Sequence, residues 1–127
     1  SGGELSRIML AIKTLLADKD QTETLIFDEI DTGISGITAG KVGDRLRLIG
    51  KSRQVICITH LPQIAATADH HFLIRKKAEG TSVRTDVEML DEAASVEELA
   101  RLLGGANVTE RVMESAKELK ELAKCER

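Results

Sequence analysis

The chain has few of the aromatic residues that nucleic-acid-binding surfaces commonly use. Its 127 residues include no tryptophan, no tyrosine and two phenylalanines. Aromatic rings form the platform on which single-stranded bases stack, so this composition argues against such a platform. Acidic residues outnumber basic ones by 21 to 18, the formal net charge is −3, and the basic residues are scattered among acidic ones, with no run longer than the three residues 75–77. The segment by itself is therefore not predicted to be a DNA-binding surface.

Cysteine and long hydrophobic runs are scarce as well. Cys57 lies inside a short apolar run and Cys125 near the end of the sequence, which favours reduced thiols in a cytoplasmic protein over a disulfide framework or a metal cluster. No apolar stretch approaches the length of a membrane span, and the first residues do not resemble a signal peptide. The sequence begins without methionine, and we expect it to be a fragment of a longer protein.

The hydrophobic residues that are present follow clear patterns. They make up 42% of the sequence, enough for the core of one compact domain. Apolar residues at helical spacing over 5–16 predict a first helix, which Ser1 and Glu4 can begin through a capping box. Two short apolar runs, 24–27 and 54–59, predict buried parallel strands that are joined by a right-handed crossover.

The remaining elements are helices and a hairpin. Gly33, Gly36 and Gly40 are expected in a loop that leads into a second helix. The buried positions of that helix are predicted to be Val42, Leu46 and Ile49. Residues 72–75 and 82–90 predict two strands around a turn, with apolar residues alternating in the second strand as in a sheet with one wet face. The rest of the sequence has helical spacing.

Carboxylates follow the first predicted strand directly. Asp28 and Glu29 come after the run 24–27, and the carboxyl ends of parallel strands are where open α/β folds bind ligands. An isolated Asp-Glu pair is more often a pair of solvated loop residues. Here His60 ends the next strand, so it should emerge at the same edge. An acid for Mg²⁺, an acid that polarises water and a histidine are the set that hydrolysis of a γ-phosphate requires.

The glycines at the start of the first helix have two interpretations. Ser1, Gly2 and Gly3 can simply form a well-capped helix start. They can also let backbone N–H groups approach a phosphate, which the helix dipole favours. The second interpretation is weak alone and gains weight from the order of the elements: this helix, a strand ending in Asp-Glu, and a strand ending in Thr-His.

Three segments in this order resemble the motifs of an ABC-type ATPase head. SGGELSR is similar to the signature motif, TLIFDE to the Walker B strand and VICITH to the strand before the switch histidine. Within that superfamily, DEIDTGISG and ITHLPQIAA resemble a branch of bacterial double-strand-break repair proteins related to the SMC family. The resemblance covers residues 1–127 and implies the C-terminal portion of such a head.

The implied fold is α/β: part of a P-loop NTPase, with a parallel sheet, flanking helices, a β-hairpin and C-terminal helices. The pattern G-x-x-x-x-G-K-[ST] does not occur in the sequence, so the Walker A half, which grips the phosphates, is absent. We therefore expect the isolated chain to be inactive and to expose an apolar face that the missing half would cover.

The resemblance also implies roles for the acids and the histidine. Asp28 would hold Mg²⁺ through water, Glu29 would act as the general base, and His60 would contact the γ-phosphate of ATP.

Nucleotide-contacting roles follow for four more residues. Ser1, Gly2 and Gly3 would contact the γ-phosphate of an ATP that is held by a partner head. Ser35 lies in the stretch that corresponds to the D-loop, where many relatives have an aspartate.

The implied function is ATP hydrolysis in a DNA repair and recombination protein of the bacterial cytoplasm, associated with the nucleoid. A second copy of the head would be its partner, the full-length protein would engage DNA, other recombination proteins are further candidate partners, and no membrane is involved. One alternative is the ATPase subunit of a membrane transporter, although such subunits commonly have DEPTSALD where this chain has DEIDTGIS. Another is a non-catalytic interaction domain, which loss of Glu29 or His60 would have favoured.

Overall fold

The structure is a computed structural model and describes residues 1–125. The chain divides into two compact units, Ser1–Thr67 and a second unit that begins at Ala68. This differs from the single compact domain that the length predicts. The physical reason is that the strands pair within each unit, which gives two separate two-stranded sheets in the described part of the chain.

The first unit contains a parallel strand pair and three helices. Its elements are α1 (Gly2–Leu15), β1 (Thr24–Phe27), α2 (Gly36–Gly50), β2 (Gln54–Cys57) and α3 (Pro62–Ala65). β1 and β2 run parallel, with Thr24 opposite Gln54 and Phe27 opposite Cys57. The predicted parallel pairing is therefore confirmed, and both strands end at the same level.

A single hydrophobic cluster holds this unit together. It combines residues of α1, β1, the turn after β1 and α3 with the predicted buried face of α2, and its buried members are Leu10, Leu25, Phe27, Ile30, Ala39, Val42, Leu46, Ile49 and Ile64. Ile30 is fully buried although it directly follows the exposed Asp28 and Glu29. The turn after β1 is thus anchored in the core.

Two predicted boundaries in this unit are wrong. Gly36 and Gly40 lie inside α2 instead of in the preceding loop. The helix can begin at Gly36 because Ser35 before it has the extended backbone of an N-cap. β2 ends at Cys57, two residues before the predicted end. Beyond that end the backbone N–H of His60 donates to the side chain of Asp31 instead of to a strand, and the Thr59 hydroxyl donates to the same carboxylate.

The second unit consists of a hairpin and two helices. Its elements are β3 (His71–Glu79), β4 (Ser82–Leu90), α4 (Glu92–Gly104) and α5 (Glu110–Cys125). β3 and β4 pair antiparallel from His71 opposite Leu90 to Glu79 opposite Ser82. The predicted strand 72–75 is thus too short, because the ladder continues to a tight turn at Gly80, whose φ is +63°.

The hairpin has an exposed apolar face, and its opposite, mostly charged face is half-buried at His71, Leu73, Asp86 and Leu90. The side chains that share the apolar face include Phe72, Ile74, Val83, Val87 and Met89, which are each more than half exposed. In the first unit, α1 likewise exposes Leu5, Ile8 and Leu15. Exposed apolar faces are therefore present, as expected from the sequence, and the second strand does not have the single wet face that its alternation predicts.

The buried polar side-chain atoms of residues 68–125 all have hydrogen-bond partners. Ser95, 2% exposed, lies 2.8 Å from Nδ1 of His71 and accepts a hydrogen bond of 2.9 Å from Nζ of Lys120. Burial lowers the pKa of His71, and the positive charge of Lys120 lowers it further. These contacts give His71 a structural role in this unit.

An ionic network fixes the loop between α1 and β1. Asp20 accepts from Nζ of Lys13 at 2.5 Å and from the Thr22 hydroxyl at 2.7 Å. Arg53, at the start of β2, donates to the carbonyls of Ala17 and Asp20 and lies 3.4 Å from the Asp20 carboxylate. The hydrogen bond from Lys13 contributes most to holding the pKa of Asp20 far below its usual value, and the hydrogen bonds from Thr22 contribute next.

We predict that this network makes the first unit sensitive to acid. Because the pKa of Asp20 is lower in the folded state than in the unfolded state, its contribution to stability is present above about pH 4 and is lost as the pH falls below that. Asp20→Asn should lower the denaturant midpoint at pH 7 and flatten the loss of stability towards low pH. Circular-dichroism unfolding at several pH values measures both, with Asp18→Asn on the same loop as the control. Equal effects of the two substitutions would contradict the prediction.

Candidate functional site

The two predicted acids lie at the carboxyl end of β1 and are exposed. The Asp28 carboxylate accepts a hydrogen bond of 2.8 Å from the backbone N–H of Glu29. Glu29 has a φ of +57°, the only positive value among the non-glycine residues of the described chain. This left-handed conformation is uncommon outside glycine and clusters at functional sites.

His60 emerges at the same edge of the sheet. The N–H of Ile58 donates to the carbonyl of Phe27 at 3.0 Å, which extends the contact between the two strands just past their ends. Asp31 then connects the two segments, because its Oδ2 accepts from the backbone N–H of His60 and lies 2.9 Å from Nδ1 of the same residue. The structure therefore brings the segment of Asp28 and Glu29 together with that of His60.

The start of α1 lies against the same turn. Ser1 and Glu4 form the predicted capping box. A Cβ at Gly2 would lie 2.3 Å from Oε2 of Glu29, so the carboxylate of the predicted base reaches the helix start. A Cβ at Gly3 would lie 2.7 Å from the carbonyl oxygen of Thr32 and 3.0 Å from that of Glu29. Gly3 thus permits a close approach of two backbone carbonyls, a reason that phosphate binding alone does not supply, whereas Gly2 faces only the end of the exposed Glu29 side chain.

Two side chains of α1 that the sequence did not single out hold this turn. The Ser6 hydroxyl donates to the carbonyl of Asp28 at 2.9 Å. Arg7 donates through Nη1 to the carbonyls of Ile30 and Thr32 at 3.0 and 2.9 Å. Both residues belong to the segment SGGELSR, but their partners lie more than 20 residues away, so no local pattern predicts these contacts.

Ser35 and Cys57 complete the set of candidate groups. Ser35 is exposed at the N-cap of α2, and its hydroxyl lies 3.5 Å from that of Thr38. Cys57 is a free thiol whose pKa is raised to about 12, first by burial and then by the charges of Asp31 and Asp28. It is therefore a thiol at neutral pH and a poor nucleophile.

Metal binding by protein ligands alone does not fit the described residues. Within 1–125, no group of three or more His, Cys, Asp or Glu side chains could hold a metal ion. A metal at this edge would have to take most of its ligands from a substrate and from water. Across the same residues, no helix combines the length and the apolar character that a membrane crossing requires.

Comparison with solved structures defines the class of fold. The chain is similar to an SMC ATPase described for its ATP-driven dimerization and DNA stimulated activation, with a TM-score of 0.58 and 24% identity. The similarity covers 80% of this chain and 61% of the other. The α/β arrangement, with its small parallel sheet and its hairpin, therefore resembles part of the fold of that ATPase.

Comparison of sequences points to one particular protein. The chain is 49% identical over 97% of its length to the DNA repair protein RecN of Halalkalibacterium halodurans. It is 50% identical over 94% to RecN of Vibrio cholerae and 42% identical over 100% to RecN of Streptomyces coelicolor. These matches confirm the resemblance to RecN that DEIDTGISG and THLPQIAA predict. The chain spans 22% of the length of each of these relatives, and no family model matches it.

We predict that the backbone of Glu29 is strained. A left-handed conformation costs a non-glycine residue about 1 kcal/mol. Glu29→Gly should therefore be more stable than Glu29→Ala by about 1 kcal/mol, since both remove the carboxylate and only alanine keeps the strain. Chemical unfolding of the two variants measures the difference. Equal stability, or a more stable alanine variant, would show that position 29 relaxes out of the left-handed region.

Proposed function

We propose that the chain is the C-terminal portion, residues 1–127, of an ATP-hydrolysing head of a RecN-like DNA repair and recombination protein. The head would be a P-loop NTPase, and the Walker A half would come from a segment outside this chain. The full-length protein would engage DNA, and other recombination proteins remain candidate partners. The place of action would be the bacterial cytoplasm at the nucleoid.

One observation carries the proposal: three motifs that are distant in the sequence meet at one edge of the first unit. Glu29 follows β1, His60 follows β2, and Gly2 at the start of α1 lies against the Glu29 carboxylate. The identity of 42–50% to RecN proteins favours DNA repair as the setting. The same relatives do not favour the alternative of a transporter subunit.

Asp28 could bind a magnesium ion whose other ligands are waters and substrate phosphates. Mg²⁺ keeps several waters and is commonly bound by one or two carboxylates together with substrate phosphates. Asp28 offers one exposed carboxylate, oriented by the N–H of Glu29. A Mg²⁺ ion bound there would neutralise charge on the phosphates.

Glu29 and His60 would supply the proton chemistry. The Glu29 carboxylate would accept a proton from the attacking water as the general base. His60 would contact the γ-phosphate. Backbone N–H groups of Ser1, Gly2 and Gly3 would face phosphate oxygens, and Ser35 would contact the nucleotide from the D-loop.

Two arrangements of the nucleotide site follow from this geometry. In the first, which we prefer, two heads share each site, and the signature residues of one head complete the site of the other. The SMC ATPase with a similar fold is described by ATP-driven dimerization. In the second, both motifs serve one nucleotide within one chain, and the proximity of Gly2 to Glu29 favours this alternative.

One test of the proposed function concerns Glu29 as the general base. Glu29→Gln in the full-length protein should still bind ATP but lower kcat by about a hundredfold or more, because the amide keeps the size and loses the basicity. Nucleotide-binding and steady-state ATPase assays measure the two quantities. Glu23→Gln, at the opposite end of β1, is the matched control. Turnover of the Glu29→Gln protein at the wild-type rate would refute the assignment.

Another test distinguishes nucleotide sites shared between two heads from sites within one chain. Full-length Ser1→Arg and Glu29→Gln proteins should each be inactive alone. In a mixed dimer with shared sites, one site has both defects and the other has neither, so ATPase activity should partly return. If each site lies within one chain, every site has a defect, and proven mixed dimers will stay inactive.

A further inference from the structure

Asp31 is the buried acid of the DEIDTGISG segment. It is 5% exposed, whereas Asp28 and Glu29 are exposed. Its Oδ2 accepts from the Thr59 hydroxyl at 2.6 Å and from the backbone N–H of His60 at 2.9 Å. The same oxygen lies 2.9 Å from Nδ1 of the His60 ring.

The ionisation of Asp31 determines which nitrogen of His60 carries hydrogen. Burial alone would raise the pKa of Asp31, but the hydrogen bonds from the Thr59 hydroxyl and the His60 N–H outweigh it and lower the pKa. Asp31 is therefore a carboxylate at neutral pH, and a carboxylate only accepts hydrogen bonds. The ring nitrogen that faces it must be the donor, so Nδ1 carries the hydrogen.

The His60 ring is otherwise open to solvent. Its side chain is 74% exposed, while that of Asp31 is 4% exposed. A buried, hydrogen-bonded carboxylate thus holds one edge of an exposed imidazole. With Nδ1 occupied, Nε2 is the nitrogen that a ligand can reach.

We propose that Asp31 is a positioning residue that fixes His60 in the Nδ1–H tautomer and leaves Nε2 to contact the ligand. A neutral His60 then offers a lone pair at Nε2, which suits a hydrogen bond from a water or a hydroxyl group. Donation from Nε2 to a phosphate oxygen requires hydrogen on both nitrogens, and the Asp31 carboxylate then balances the charge of the ring. The consequence for ATP hydrolysis rests on the function proposed above, whereas the tautomer does not.

The tautomer is tested directly by NMR. In the full-length protein with ¹³C,¹⁵N-labelled histidine, assigned through His60→Gln, the neutral His60 ring should show the Nδ1–H form. Asp31→Ala should shift it towards the Nε2–H form. Thr59→Val removes another donor to the same carboxylate and should leave the tautomer unchanged. If Asp31→Ala does not fold, Asp31→Asn has nearly the same shape, and its weaker acceptor should give a smaller shift in the same direction. An unchanged tautomer in the folded variant would overturn the proposal.

ATPase kinetics test whether Asp31 acts through His60. Asp31→Ala should lower kcat about tenfold, as loss of a partner that orients a functional histidine commonly does, with little change in KM. On the His60→Ala background the same substitution should have little further effect. The control Asp44→Ala removes a carboxylate that pairs with Arg47 on α2 and should leave kcat unchanged.

The outcomes distinguish the two proposals. An equal fall of kcat on both backgrounds would mean that Asp31 is merely structural, which overturns the positioning role. If His60→Ala leaves ATP turnover unchanged, the role of His60 in the proposed function is wrong, and the NMR result still decides the tautomer.

Discussion

The parallel pairing of β1 with β2 is the constraint on which the candidate site depends. Because Phe27 lies opposite Cys57, the residues after both strands emerge at one level of one edge. A shift of one residue in this register would turn the side chains of a strand to the opposite face. Leu25 and Phe27 would then leave the core, so the hydrophobic cluster that stabilises the first unit also fixes the positions of Glu29 and His60.

The sequence predicted the elements better than the contacts between them. The run 24–27 coincides with β1 because an apolar strand is bounded there by polar residues. The second apolar run predicts a strand to Thr59, since Ile58 and Thr59 favour strands, but β2 ends at Cys57 and the His60 N–H binds Asp31 instead. The importance of Asp31 itself was not predictable, because its partners lie 28 and 29 residues away.

The turn after β1 shows how a strained conformation is maintained. Glu29 is left-handed, and its neighbour Ile30 is fully buried. Arg7 binds the carbonyls on both sides of Asp31. These contacts determine the backbone path more strongly than the preference of any one residue in it. Strained backbone of this kind is found where the position of a side chain matters more than stability, here the position of the Glu29 carboxylate.

The grip of α1 on this turn has a mechanical consequence. Ser6 and Arg7 bind backbone carbonyls, so the linkage does not depend on which side chains the turn presents. α1 has 14 residues and is therefore about 21 Å long. The helix is held near its first turn by Ser6 and Arg7 and near its last turn by Lys13, which binds Asp20, so it braces the turn that bears Glu29 against the loop that precedes β1.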